Sequence, residues 1–288
     1  MAGTATDLAV KLGEYRIRED LDVFIIPDFL QKMLGANDAS ALQASLEENY
    51  PVRRAGEAIV PGAVQWVEGT NDALKYRGNE LMRTKIWLQR GDPQVEGYAY
   101  YYYTGVQWEV VPAQTDWAKC KEIENLVGPY DKWCELVGAQ PANQVIATAY
   151  RNGDYGIGAH FDKAKSIAPS SEVSGVSLIT VVKMGDCGRP FNLYMLGEEA
   201  PFWSEVVPAG WAIVMTLEAN LQTKHEVPMV KDGGIGNSGS LVWRTISDVR
   251  TAQQVNKLVE ASRRQKKRMR DAKGTRLRQR EKRGSSTR

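Results

Sequence analysis

Apolar positions first gather in LDVFIIPDFL, where Val23 to Ile26 predict a short strand running through Pro27 into a helix start. Asp28 stands there as an N-cap or first-turn acid. Leu42 and Leu46, four apart and followed by Glu47 and Glu48, predict a second helical stretch with one apolar face. Residues 51–117 differ, being dense in Gly, Pro and aromatics, with strand-like runs at 84–89 and 98–103. Helical periodicity returns over 118–138, with an interruption expected near Gly128 and Pro129. Beyond Pro141 short strands are predicted at 144–150, 156–161, 175–183, 190–195, 212–217 and 240–250, separated by turns such as Asn152-Gly153-Asp154. Regular short strands with such punctuation predict an all-β barrel or a double-sheet jelly roll preceded by helices.

The hydrophobic density collapses after about Val255. The pattern therefore divides the chain into an N-terminal extension (1–19), a helical and aromatic-rich support region (20–138), a jelly-roll core (139–255) and a basic tail (256–288). The tail is expected to be disordered or conditionally ordered, because its charged run has no apolar face wide enough to bury.

Charge sharpens that division. The formal net charge of +2 hides 14 Lys+Arg against three acids over 257–288, a segment charge of +11, which leaves −9 on the first 256 residues. Such asymmetry predicts a polyanion-binding arm, an address signal or a solvated appendage. RRQKKR and REKR resemble nuclear-import signals, so a nuclear location is expected in a eukaryote and a cytoplasmic one otherwise. No run approaches the about 18 apolar residues of a membrane span, so no membrane partner is expected. The opening residues lack a basic stretch leading into an apolar one, and Cys120, Cys134 and Cys187 form neither a metal-ligand spacing nor a disulfide framework. Both features predict an intracellular, reducing location.

The chain has only two histidines, His160 and His225, and Asp162 follows the first by two residues. On a strand, residues two apart project from one face, so the His160 imidazole and Asp162 carboxylate can converge on one ion. Two imidazoles and one carboxylate on one face of an octahedron form the facial triad of non-haem iron(II) oxygenases, with three positions left open. The bland alternative is a chance H-x-D tripeptide and two structural histidines. Arg244 and Arg250 stand six apart in SLVWRTISDVR, an even spacing that places both guanidinium groups on one face of a single strand. A dicarboxylate such as 2-oxoglutarate would pair both. An internal salt bridge to Asp248, between them on the same face, satisfies them equally well. Tyr150, on the preceding strand, offers a hydroxyl donor or simply core packing.

Taken in order, these segments resemble AlkB-type iron(II)/2-oxoglutarate dioxygenases. NQVIATAYRNGDYGIGAHFDK followed by SGVSLITVVKMGDCGRPFNLY resembles the family's tyrosine strand, polar turn, H-x-D ligands and Ser-Leu strand leading to R-x-F. FIIPDFL, RTKIWLQ, YYYYTG, VPAGWAIVMTLEANLQTKHEVP and RTISDVR resemble its remaining segments, so the likeness covers roughly 20–250. The resemblance implies that His160, Asp162 and His225 are the catalytic iron(II) ligands. It also implies that Tyr150 and Arg244 contact the distal carboxylate of 2-oxoglutarate, with Arg250 near its keto-acid end and dioxygen as the second co-substrate. Thr148 stands where the family usually carries an asparagine, and its hydroxyl keeps part of that hydrogen bonding. Asp248 replaces an uncharged residue between the arginines, and Lys163 and Lys165 replace acids that commonly follow the H-x-D.

The implied activity is hydroxylation or oxidative demethylation of a nucleobase in DNA or RNA, with nucleic acid engaged partly by the tail at 257–288. A base reached by such an enzyme is flipped out or single-stranded and held against aromatic faces. Arg83, Tyr76, Trp87 and Tyr103 are the candidates for substrate contact, although most aromatics of that region are expected to fill the core. The alternatives are a hydroxylase of a protein side chain or small metabolite on the same fold, and a catalytically silent binding module.

Overall fold

The computed structural model describes residues 5–35, 38–53, 63–68, 75–76, 79–80, 84–90, 99–103, 108–112, 116–162, 167–169, 175–230 and 235–247, with seven positions of 253–268. At 75–76, 79–80, 99–103 and 108–112 it describes the backbone. The elements of the leading half are α1 (Ala5–Leu12), β1 (Val23–Ile26), α2 (Phe29–Lys32), α3 (Ala39–Asn49), β2 (Val52–Arg53), β3 (Trp66–Glu68), β4 (Lys75–Tyr76), β5 (Asn79–Glu80), β6 (Thr84–Gln89), β7 (Ala99–Tyr103), β8 (Trp108–Pro112) and α4 (Lys121–Val137). There follow β9 (Gln144–Tyr150), β10 (Ile157–His160), β11 (Leu178–Gly185), β12 (Arg189–Met195), β13 (Trp203–Val207), β14 (Ala212–Thr216), α5 (Leu217–Gln222), β15 (Thr223–Val227) and β16 (Ser238–Arg244).

Two sheets form the body. The larger runs β1-β14-β11-β16-β9-β6-β3-β2 and the smaller β10-β15-β12-β13. Neighbours are antiparallel except β2 and β3. β4 pairs with β5 and β7 with β8 as separate two-stranded sheets. Strands from the support region thus complete the same sheet as those of the core. The mainly β, jelly-roll expectation describes this arrangement.

Strand periodicity explains why the larger sheet is buried on both faces. On β11, Leu178, Val182 and Met184 join the helix-side core with Leu46, Leu126, Tyr130 and Trp133, whereas Ile179 and Val181 join Phe191, Leu193 and Val207 of the smaller sheet. On β16, Leu241 and Trp243 pack toward the helices. Tyr130 stacks on Trp243 with centroids 4.4 Å apart and donates its hydroxyl to Thr180 Oγ1 at 2.9 Å, fixing α4 against the sheet. Gly185 ends β11 at φ +100, a conformation an L side chain resists, and an added Cβ would lie 2.4 Å from the Asn237 carbonyl oxygen.

Several expectations shift. α4 runs unbroken from Lys121 to Val137 with Pro129 inside it, because Leu126, Tyr130 and Trp133 are buried on both sides of the proline and hold the turn in place. Asp28 occupies the N-cap position of α2 at φ 52 but makes no side-chain cap, and its carboxylate pairs with Lys32 at 3.3 Å. β16 ends at Arg244 rather than near residue 250, and Asp248 and Arg250 lie outside the described residues. In the tail, Lys257, Glu260, Ala261, Arg264 and Arg268 are helical and exposed. Among the described residues no helix is long and apolar enough to cross a membrane.

Candidate metal centre

The smaller sheet brings both histidines together. His160 ends β10 and pairs directly with His225 on β15, and the rings stand 4.3 Å apart. Between Ile157↔Val227 and His160↔His225, β10 carries one residue more than β15, an irregularity of the kind that re-aims a side chain beside a site.

Asp162 reaches the same point by another route than strand alternation, since β10 has already ended. Its backbone N–H donates to Asn220 Oδ1 at 2.9 Å, and Asn220 Nδ2 donates to the Asp162 carbonyl at 3.0 Å. Asn220 is buried on α5, the short helix that immediately precedes β15 and His225. Thr216 caps α5 by accepting from the Ala219 N–H at 3.1 Å. One helix therefore fixes two ligands.

The donor atoms suit a transition metal. Metal-binding atoms of His160, Asp162 and His225 all lie within 4.8 Å of one another. His160 Nδ1 sits 2.9 Å from the Gly158 carbonyl, which commits that nitrogen as donor and gives Nε2 the lone pair. Asp162 Oδ2 and His225 Nδ1 are buried without a hydrogen-bond partner, an arrangement that costs free energy unless something else satisfies them. Burial lowers the His225 pKa against the opposing pull of Asp162, favouring the neutral imidazole that ligates. Burial pushes the Asp162 carboxyl up, but Arg244, His225, His160 and Lys85 outweigh it and bring the pKa down to about 2. A hard oxygen and two imidazoles, one pair of them unsatisfied, fit iron(II) in a facial triad.

The larger sheet supplies the supporting charge. Arg244 Nη1 lies 3.1 Å from Asp162 Oδ1, and its Nε donates to Gln144 Oε1 at 2.9 Å. Gln144 Nε2 donates to Gln89 Oε1 at 3.0 Å, and Gln89 Nε2 to the Arg90 carbonyl at 3.0 Å. Sequence reasoning missed Asn220, Gln144 and Gln89. Asn220's signal is its place five residues before His225, on the stretch that leads into that strand.

The other expected site residues fall into two groups. Tyr150 and Thr148 lie on β9 facing the site side of the sheet, but Tyr150 pairs with Ser238 whereas Arg244 pairs with Gln144 at the far end of the ladder. The structure thus separates Tyr150 from Arg244 and places Arg244 against the aspartate. Trp87 is buried on β6, opposite Ile146. Tyr76 and Tyr103 lie on β4 and β7, where the backbone is described, and Arg83 lies outside the described residues.

No family model and no curated protein matches the sequence. Among solved structures, the chain is similar to one titled "The structure of OsALKBH1", at 11% identity and a TM-score of 0.49, with 80% of this chain and 98% of that chain covered. It is also similar to an "Oxidoreductase, 2OG-Fe(II) oxygenase family" from Burkholderia pseudomallei, at 15% identity and a TM-score of 0.41, covering 84% and 89%. At such identities the chain's own residues decide what it does.

Proposed function

We propose that this chain is an iron(II)- and 2-oxoglutarate-dependent dioxygenase that hydroxylates, or oxidatively demethylates, a nucleobase in DNA or RNA. The observation that carries the reading is the convergence of His160, Asp162 and His225 within 4.8 Å, with Asp162 Oδ2 and His225 Nδ1 buried and unpartnered.

Iron(II) at this point would supply open coordination positions at which a 2-oxo acid and dioxygen can react to oxidise a C–H bond. The protein's part is positioning. Gly158 orients the His160 ring through Nδ1, Asn220 fixes the Asp162 backbone, and Arg244 holds the carboxylate ionised and aimed. Phe191 stacks on His225 at 5.9 Å and 8°, an apolar wall that limits its rotation. His225 is buried while His160 and Asp162 are half-buried, so the ligand set would confine the oxidising chemistry to whatever enters its open side.

The nucleobase rests on the ordered set of motifs over 20–250 and on the basic tail, whose exposed helical Arg264 and Arg268 suit phosphate contact. Lys163 and Lys165 after the H-x-D favour the second reading, a hydroxylase of a protein side chain or metabolite. Succinate release from 2-oxoglutarate with iron(II) and ascorbate, measured with and without methylated oligonucleotides, separates the two. Stimulation by an oligonucleotide supports the base. Turnover that ignores every oligonucleotide favours the second reading, and failure to bind iron(II) ends both.

A further inference from the structure

Lys183 lies on β11 with 1% of its surface exposed, and its Nζ has no hydrogen-bond partner. It shares a face with Ile179 and Val181, so it points between the two sheets rather than toward the helices. The ammonium is 5.9 Å from the Tyr150 ring centroid and 5.9 Å from that of Phe191. Phe191 in turn stacks on the metal-site His225 at 5.9 Å. Lys183 Nζ is therefore within about 12 Å of the His225 ring, on the inner side of the candidate metal centre.

The strand register places this lysine in a polar row. Lys85 pairs with Thr148, Thr148 with Ser240, and Ser240 with Lys183, so four adjacent strands of the larger sheet present one line of ammonium and hydroxyl groups across the inner face. Toward Arg244 the rows differ. One is Trp87, Ile146, Val242 and Val181, and beyond it lies Gln89, Gln144, Arg244 and Ile179. Arg244 stands four residues along β16 from Ser240, about 13 Å at a strand rise of ~3.3 Å. Its guanidinium is already held by Asp162 and Gln144. Arg189, the other buried cation nearby, donates to the Asn152 and Tyr155 carbonyls and to Ser238 Oγ. Arg189 keeps only its Nε unpartnered, whereas the Lys183 ammonium has no hydrogen-bond partner at all, and an unpaired ammonium is expensive to bury unless an anion joins it.

We infer that Lys183, with the hydroxyls of Ser240, Thr148 and Tyr150, receives the far carboxylate of the 2-oxo acid dianion whose other end binds at His160, Asp162 and His225. The inference rests on the dioxygenase reading and moves the anion's second anchor from Arg244 to Lys183. Arg244 then serves the metal end, through Asp162. Burial, reinforced by the neighbouring Arg189, lowers the Lys183 pKa to about 7, and an arriving carboxylate would restore its charge.

The test compares 2-oxoglutarate with 2-oxopentanoate, which keeps the keto-acid end and five-carbon chain but ends in a methyl group. Binding of each to the full chain is measured by calorimetry with manganese(II) in place of iron, so that no turnover is involved. The native chain should prefer 2-oxoglutarate by at least tenfold, about 1.4 kcal/mol. Lys183→Met should bring the two ligands to near-equal affinity while manganese binding stays unchanged, and Lys183→Gln serves as a second variant if the methionine does not fold. A native preference that survives both substitutions would leave the dioxygenase reading standing and overturn the Lys183 assignment. Absence of any 2-oxo acid binding by the metal-loaded native chain would overturn the reading itself, and the assignment with it.

Discussion

Asp162 and Asn220 grip one another twice, each giving one hydrogen bond to the other across 58 residues, at 2.9 and 3.0 Å. The aspartate reaches the histidines because of this clamp, since β10 has stopped at His160. Asn220 is 1% exposed, and its carboxamide spends both its oxygen and its nitrogen on that turn.

Asn220→Ala should accordingly weaken metal binding by ~10–100-fold, the usual cost of losing an outer partner of a metal ligand, and cost about 1–3 kcal/mol of stability for the unsatisfied backbone groups. Metal titration and thermal unfolding of the same preparation measure the two effects separately. Undiminished metal affinity in a folded variant would show the clamp to be idle.

His160→Ala and His225→Ala should each abolish metal-dependent stabilisation while the apo protein unfolds near the native temperature. Ligand that binds only the folded state raises the melting temperature, so the readout is the shift on adding iron(II) or manganese(II). A full shift in either variant removes that histidine from the ligand set.

Removing Arg244 has a different signature. Arg244→Ala leaves the Asp162 carboxylate and Gln144 buried without their cation, and breaking a buried pair from one side typically costs about 3–5 kcal/mol. The variant should unfold at lower denaturant and lose succinate production together. Native stability in urea unfolding would refute the pairing.

Lys183 yields a pH dependence with a definite sign. Its folded pKa is lowered from 10.5 to about 7, chiefly by burial, so between those values the unfolded chain holds a proton the folded chain has released. Stability should therefore rise as pH increases from about 7 toward 10, and Lys183→Met should flatten that rise. Denaturant midpoints taken across this range for both proteins decide the matter.

Deleting 257–288 should leave both sheets folded, because every described tail position is exposed. If the +11 arm engages phosphates, the salt slope of oligonucleotide binding should become shallower by about 0.7–0.9 per lost phosphate contact. An identical slope after truncation assigns the tail no such role.

Much of the scaffold was legible because strands at 23–26, 84–89 and 144–150 carry both β propensity and clear boundaries. β13 escaped notice because its inner residues Ser204, Glu205 and Val206 are all exposed, leaving no alternation to read. The break expected at Pro129 did not occur, since tertiary packing of Tyr130 and Trp133 outweighed the missing donor. At the site, the three ligand candidates stood out by residue type, and the structure brings them together. Which cation serves which anion was hidden, because it depends on the register of β9 against β16, whereas the spacing paired Arg244 with Arg250 and the family resemblance set it beside Tyr150. Lys183 gave no signal, for a lysine near the end of LITVVKMG reads as the strand emerging into water.

The position of β16 governs when the larger sheet can close. This strand is inserted between β11 and β9, and both neighbours leave the ribosome first. Until residue 244 is delivered, the larger sheet is two fragments with raw edges facing each other, and the aspartate lacks its arginine. A chain cut before β16 would therefore leave two unpaired strand edges of the kind open to strand exchange with another copy, and would lack the cation that faces Asp162.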